Sequence, residues 1–159
     1  MARHALRIAA ATMIVGALYC SARGIRAEPA SEKASIEAAN HEFDQALSTR
    51  DIDAMEKVWA KEPYVIAIHP SSKTPIVGWT AVKASWQATF DRFAEISVSM
   101  KEPQIRINQN VAWIVGVETV SGKLKNGDAA VFAALTTNVF EKLGGRWSMV
   151  LHSTSRLPQ

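Results

Sequence analysis

Apolar residues between Ser31 and Arg50 recur at three- and four-residue spacing. Ile36, Ala39, Phe43, Ala46 and Leu47 share one stripe with Asn40. That period predicts an amphipathic helix with one buried face. His41 and Asp44 fall off the stripe and are expected in solvent. Asp51 is placed to cap a second, short helix that carries Ile52, Met55, Val58 and Trp59 inward, and Asp53 suits its positive end. Pro63 ends that pattern. Tyr64 to His69 then reads as a short strand, Ser71-Ser72-Lys73 as a turn and Thr74 to Val77 as a brief extended segment. A third helix follows Gly78-Trp79-Thr80, with Thr80 as the expected cap and Val82, Trp86, Phe90 and Phe93 as its apolar stripe.

From Ile96 the period changes to alternation. Four strands are predicted, at Ile96 to Asn108, Val111 to Lys125, Ala129 to Lys142 and Trp147 to Arg156. Pro103 is expected to break or bulge the first. Asn108-Gln109-Asn110, Asn126-Gly127 and Gly144-Gly145 mark the turns, and Asn126 and Gly127 both tolerate positive φ. Helices followed by a long antiparallel meander predict an α+β domain, a single curved sheet with helices on one side.

Charge divides the chain. Met1 to Ala27 holds Arg3, Arg7, Arg23 and Arg26, no acid, and the apolar run from Ile8 to Cys20. A basic start, a short apolar core and small residues after it read as a secretory signal peptide. The run is too short to span a membrane, which takes ~20 apolar residues. Cleavage after Ala22 or Ala27 places the protein in a periplasm or outside the cell. Lipidation at Cys20 is disfavoured by Ala17-Leu18-Tyr19, a poor lipidation box. The leader takes four of the 18 basic residues, which leaves 14 against all 15 acids and a net charge of −1. Nothing in that balance favours nucleic acid as a partner. The single domain, Glu28 to Gln159, then has no cysteine and must be held by its core alone.

Several stretches, taken in order, resemble one family. They are His69-Pro70, Gly78-Trp79, Val82 to Phe90, Asn110-Val111-Ala112-Trp113, Thr137 to Lys142 and the closing run Gly145 to Ser155. Their order and spacing resemble the SnoaL-like (DUF4440-type) branch of the NTF2-like superfamily. The resemblance implies a cone, in which a strongly bent mixed sheet wraps a long helix and leaves a cavity at the wide end. Its members include steroid isomerases, polyketide cyclases, dehydratases, oligomerisation domains and carriers, so the fold does not supply the function. The steroid-isomerase pattern is not matched. Phe43 stands near its oxyanion tyrosine, and Ala67 to His69 contains no carboxylate. His152 alone remains where relatives often carry two or three histidines.

Three residues are candidates for acid–base chemistry. His69 closes a strand beside Pro70, near an expected cone mouth, and an imidazole with an ordinary pKa of ~6.5 suits proton transfer. A hydrogen-bonded loop histidine is the plainer reading. His152, in the last strand, lines the cavity or faces solvent according to the strand's parity. Glu118 interrupts an apolar strand; on a buried face its pKa would rise, and on the outer face it would pair with a base. A pairing of Glu118 with a histidine would raise that histidine's pKa unless burial opposed it. Tyr64, Trp79, Trp113 and Asn138 join His69 and His152 as candidate ligand contacts, with Trp79 at the rim. Trp86 and Trp147 read more readily as core. Mature histidines at positions 41, 69 and 152 have no metal-ligand spacing, and no Gly-rich phosphate loop or nucleophile elbow is present. Neither metal nor cofactor is expected.

Two functions remain open. One is an exported domain that binds a small apolar or mixed-polarity molecule, with weak lyase-, isomerase- or hydrolase-type chemistry. The other is a non-catalytic association domain with a vestigial cavity. A homodimer is expected in either case, because Val111, Trp113, Val115 and Val117 lie on one face of their strand while Ala112, Ile114 and Val120 lie on the other.

Overall fold

The computed structural model describes residues 29–158. The leader, both cleavage sites and Cys20 lie outside the described residues. Three helices, α1 (Pro29–Thr49), α2 (Ile52–Val58) and α3 (Trp79–Arg92), accompany six strands. The strands are β1 (Ile66–Ile68), β2 (Ile76–Val77), β3 (Phe93–Asn108), β4 (Val111–Leu124), β5 (Ala129–Leu143) and β6 (Arg146–Arg156). They form one curved, unclosed sheet in the order β2-β1-β6-β5-β4-β3. β1 runs parallel to β6, and every other pairing is antiparallel. The α+β architecture follows the sequence pattern.

Local chemistry sets the joints. α1 stops where Arg50 turns to φ 55°. The amides of Arg50 and Asp51 then bond back to Leu47 and Ala46, a Schellman closure that satisfies carbonyls left open at a helix end. The Arg50 guanidinium anchors on the Phe93 carbonyl at 2.8 Å, tying this turn to the start of β3. Asp51 caps α2 as expected, accepting from the amides of Asp53 and Ala54 at 2.9 and 3.0 Å. The cap of α3 is Gly78 rather than Thr80. Gly78 adopts φ 88°, and its amide bonds to the Val65 carbonyl at 2.8 Å, so the entry to α3 is held by backbone and not by a side chain.

The turns partly differ from the sequence reading. Gly144 and Gly145 both adopt positive φ and make the tight two-residue turn. In the β4–β5 hairpin only Gly127 does, at φ 96°, and its amide bonds to the Leu124 carbonyl. That loop is therefore three residues long, an ordinary turn closed by a left-handed glycine. Asn126 contributes its side chain instead, accepting from the Asp128 amide at 3.1 Å. Pro103 produces the expected irregularity. The β3–β4 register slips between Lys101 and Gln104, with Glu102 at φ 48°. Gly122 serves a close approach, since a Cβ there would meet the Glu95 carbonyl oxygen at 2.5 Å.

The core lies between α1, α3 and the concave face of the sheet. Phe43, Phe140, Ile36, Met55, Ile114 and Met149 are fully buried. Along β4 the parity is consistent: Ala112, Ile114, Glu118 and Val120 point inward, while Val111, Trp113 and Val117 are exposed. Asp44 is the exception on α1. It is buried, against the solvated position expected of it.

Candidate functional site

Strand register builds the inner face row by row. Ile114 pairs with Asn138, Asn138 with His152, and His152 with Ala67, so one row crosses β4, β5, β6 and β1. Glu118 pairs with Ala134, which pairs with Arg156. Val120 pairs with Phe132. Above these rows lies a cavity of about 410 Å³, closed on its other side by Leu47 of α1 and by Trp86, Thr89 and Arg92 of α3. His69, Glu118 and His152 all line it. The three acid–base candidates therefore share one space.

Hydrogen bonds fix the tautomer of each histidine. Asn138 Nδ2 donates to Asn40 Oδ1 at 2.8 Å. Asn138 Oδ1 therefore faces His152 Nδ1, also at 2.8 Å, and as a carbonyl oxygen it can only accept. His152 carries its proton on Nδ1, and Nε2 is left as an acceptor. At His69 the tautomer is set by Ser85. The Ser85 hydroxyl gives its one proton to the Val82 carbonyl at 2.7 Å, so at 2.9 Å from His69 Nε2 it must accept. His69 is thus protonated on Nε2 and its Nδ1 accepts. Burial lowers the His69 pKa to about 4. It lowers that of His152 to about 3, with the nearby His69 adding to the effect. Phe43 and Trp86 pack on the His152 ring at 4.9 and 5.4 Å between centroids. Both imidazoles are neutral acceptors at neutral pH.

The carboxyls behave oppositely. Glu118 is 3% exposed, and its Oε1 has no hydrogen-bond partner. Burial pushes its pKa up to about 7, the Asp44 charge adds to this, and the Thr136 hydroxyl opposes it. Asp44 is raised to about 7 by burial, against a hydrogen bond from the Met100 backbone, and its Oδ1 is likewise unpartnered. No histidine–carboxylate hydrogen bond forms among the described residues, so the pairing that would raise a histidine pKa does not occur here. Burial dominates for all four groups, and it leaves the carboxyls, not the histidines, titrating near neutrality.

Three candidate contacts lie elsewhere. Trp79 is absent from the cavity wall. It packs near Trp59, 6.5 Å between centroids, and lines a separate surface depression with Glu62, Pro63 and Thr80. Gly78, at φ 88°, opens α3 at that side. Tyr64 precedes inward-facing Val65, so it points outward; it is 47% exposed and donates to Glu141 Oε2 at 2.7 Å. Trp113 has the opposite parity to Ile114 and stands on the outer face, 38% exposed. Asn138 points inward but reaches the cavity only through His152. Sequence reasoning missed Asp44, although it sits four residues after Asn40, which belongs to the buried stripe. It also missed Arg92 and Arg156 at the cavity wall, which carry no periodic signal, and Trp86 proves to be both core and lining. No group of three or more metal-ligating side chains occurs among the described residues, and no described helix is long and apolar enough to cross a membrane.

Comparison with known proteins places this geometry. A SnoaL-like domain signature matches residues 36–159. The F-box protein SKIP8 of Arabidopsis thaliana is 34% identical over 121 residues, 76% of this chain and 49% of the relative. The chain thus spans about half the length of that protein. A proposed calcium/calmodulin-dependent protein kinase type II association domain from Thiobacillus denitrificans superposes with a TM-score of 0.67 at 30% identity, over 77% of this chain and 94% of that one. A proposed dehydratase of the NTF2-like family from Streptomyces avermitilis reaches 0.75 at 17% identity, over 83% and 100%; at that identity the likeness concerns fold alone. With the helix-filled, unclosed sheet and the signature in agreement, the chain belongs to the SnoaL-like domain family of the NTF2-like fold.

Proposed function

We propose that the cavity binds a small, largely apolar molecule and that Glu118 is its acid–base group. The carrying observation is the buried, unpartnered Glu118 Oε1 on the wall of a 410 Å³ space. That volume suits a small ligand, and the wall is mainly apolar with a few converging polar groups. A carboxyl titrating near 7 supplies both its acid and its base form at neutral pH, which proton transfer requires. The neutral nitrogens His69 Nδ1 and His152 Nε2 orient a ligand hydroxyl or amide by accepting from it. Lyase- or isomerase-type proton transfer fits this set, and the dehydratase description of a structural neighbour is compatible with it. Native mass spectrometry of protein from its own host tests the reading. Retained ligand is expected in the wild type and in Glu118→Gln, with turnover of that ligand lost in the variant. An unliganded cavity in both proteins, or full turnover by Glu118→Gln, would overturn it.

A second reading, an association domain, is favoured by the outer face. Trp113, Val117, Val131 and Leu135 are exposed there, with Val131 60% and Leu135 50% accessible. Apolar surface of that kind suits a homodimer contact, and the Thiobacillus denitrificans neighbour is described as an association domain. Light scattering decides: a monomer at micromolar concentration removes the dimer. Export remains part of the proposal, resting on the leader's four arginines and apolar run. N-terminal sequencing of native protein should begin near Glu28, and an intact Met1 would refute export.

A further inference from the structure

The proposed ligand site has a second, chemically distinct end. Arg92, the last residue of α3, and Arg156, the last residue of β6, line the same cavity as Glu118 and His152. Both arginines are exposed, whereas Glu118 and His152 are buried, so the cavity grades from a cationic mouth to a buried interior.

Neither guanidinium is neutralised by an acid. The ion pairs among the described residues join Lys33 to Glu37, Lys61 and Lys83 to Glu56, and Lys142 to Glu32, and none involves Arg92 or Arg156. Arg156 instead lies over the Phe132 ring at 4.1 Å, a stacking that orients a planar guanidinium and keeps its edge free to donate. A basic residue in the last turn of α3 also suits the negative end of that helix, which accounts for Arg92 in part. Helix polarity does not account for Arg156, which comes from a strand. Glu118, the one acid on the wall, sits two strands from Arg156, roughly 10 Å away by strand spacing.

We propose that this cavity takes an apolar monocarboxylate, with the carboxylate held at the mouth by Arg92 and Arg156 and the apolar body directed toward Glu118 and His152. The inference rests on the small-molecule reading above and adds the ligand's class and its direction of entry. Guanidinium edges match carboxylate geometry and give charge-assisted bonds. Phe93, Ile96, Val98, Val120 and Phe132 supply apolar wall in the same cavity. A volume of 410 Å³ admits on the order of a dozen heavy atoms at liquid-like packing, the size of a two-ring aryl acid. Such a pose leaves the buried carboxyl facing the far end of the ligand, away from the charge it would repel.

Calorimetric titration of the whole described domain with 2-naphthoate and with its neutral isostere 2-naphthamide tests this. The wild type should bind the acid about tenfold more tightly than the amide, and added salt should shrink that difference. Arg92→Gln/Arg156→Gln should lose the preference and bind both about equally. Arg156→Lys, which keeps the charge, should retain part of the preference and guards against a variant that merely misfolds. Equal binding of acid and amide by the wild type, or an undiminished preference in the double variant with its melting midpoint intact, would overturn the carboxylate inference and leave the small-molecule reading standing. Binding of neither compound by the folded wild type would sink both.

Discussion

The two faces of β4, β5 and β6 are built from the same strands, yet they differ in kind. The concave face carries Ile114, Glu118, Asn138 and His152, each at most 3% exposed. The convex face carries Val111, Trp113, Val117 and Val131, each at least 38% exposed. Several large apolar side chains thus lie in solvent, while Glu118, Asn138 and His152 lie inside among the core residues. Hydrophobicity alone would sort them the other way. An exposed valine on a strand costs little, while a buried carboxyl is costly unless it stays protonated or hydrogen-bonded. The concave polar groups are therefore the ones that demand an explanation, and a ligand space supplies it.

Four substitutions sharpen this contrast. The largest effect is expected from Ile114→Ala, which should cost ~2–5 kcal/mol because it empties a fully buried position facing α1 and α3. Urea denaturation measures it, and a loss below ~1 kcal/mol would mean the concave face is loosely packed. Next is Asn138→Ala. It strands the His152 Nδ1–H and Asn40 Oδ1 without partners and should cost roughly 2–3 kcal/mol. A shift in the His152 tautomer, read by nitrogen NMR, should accompany it.

The third is pH-dependent. Glu118 and Asp44 titrate near 7 in the fold, against ordinary values of 4.5 and 3.8. Between those limits the folded chain holds protons that the unfolded chain has released, so these carboxyls withdraw stability as pH rises from about 4 to about 7. The histidines run the other way. Their folded values of about 4 and about 3, below the ordinary 6.5, withdraw stability as pH falls through that interval. Glu118 faces Asp44 of α1, Thr136 of β5 and, across the cavity, His69, His152, Arg92 and Arg156. Glu118→Gln should therefore gain on the wild type as pH rises from 4.5 to about 7, by on the order of 1–3 kcal/mol. Parallel pH profiles for the two proteins would show that Glu118 is ionised in the fold throughout. The smallest effect belongs to the convex face. Trp113→Ser should leave the stability of a monomer within about 0.5 kcal/mol, while a homodimer through that face would dissociate on light scattering.

Glu118 and His152 share the inner face because strand parity is arithmetic. Once Ile114 points inward, Glu118 does too, and the alternation of β6 carries His152 and Thr154 to the same side as Val150. The candidate contacts that lie outside the cavity trace to the same rule. Trp113 is odd where Ile114 is even, and Tyr64 precedes inward Val65, so parity argued against both. Trp79 had no such rule. Its direction depends on the left-handed turn at Gly78, whose φ the sequence permits but does not impose.

By itself, then, the sequence determined the helices, the meander and the two alternating sets on each strand, because periods of 3.6 and 2 are read locally; which set faces inward came from the packing. It also carried the family. Tertiary structure decided the depth of burial, and with it the chemistry. Asp44 lies beside Phe43 on α1, about 100° around the helix, and a helix packed on a flat surface would leave it wet. A sheet that curves around α1 covers a wider arc, so Asp44 is enclosed and raises Glu118 by its charge. Curvature is a sum over many residues, Gly122 and the Pro103 bulge among them, and no single stretch of sequence states it.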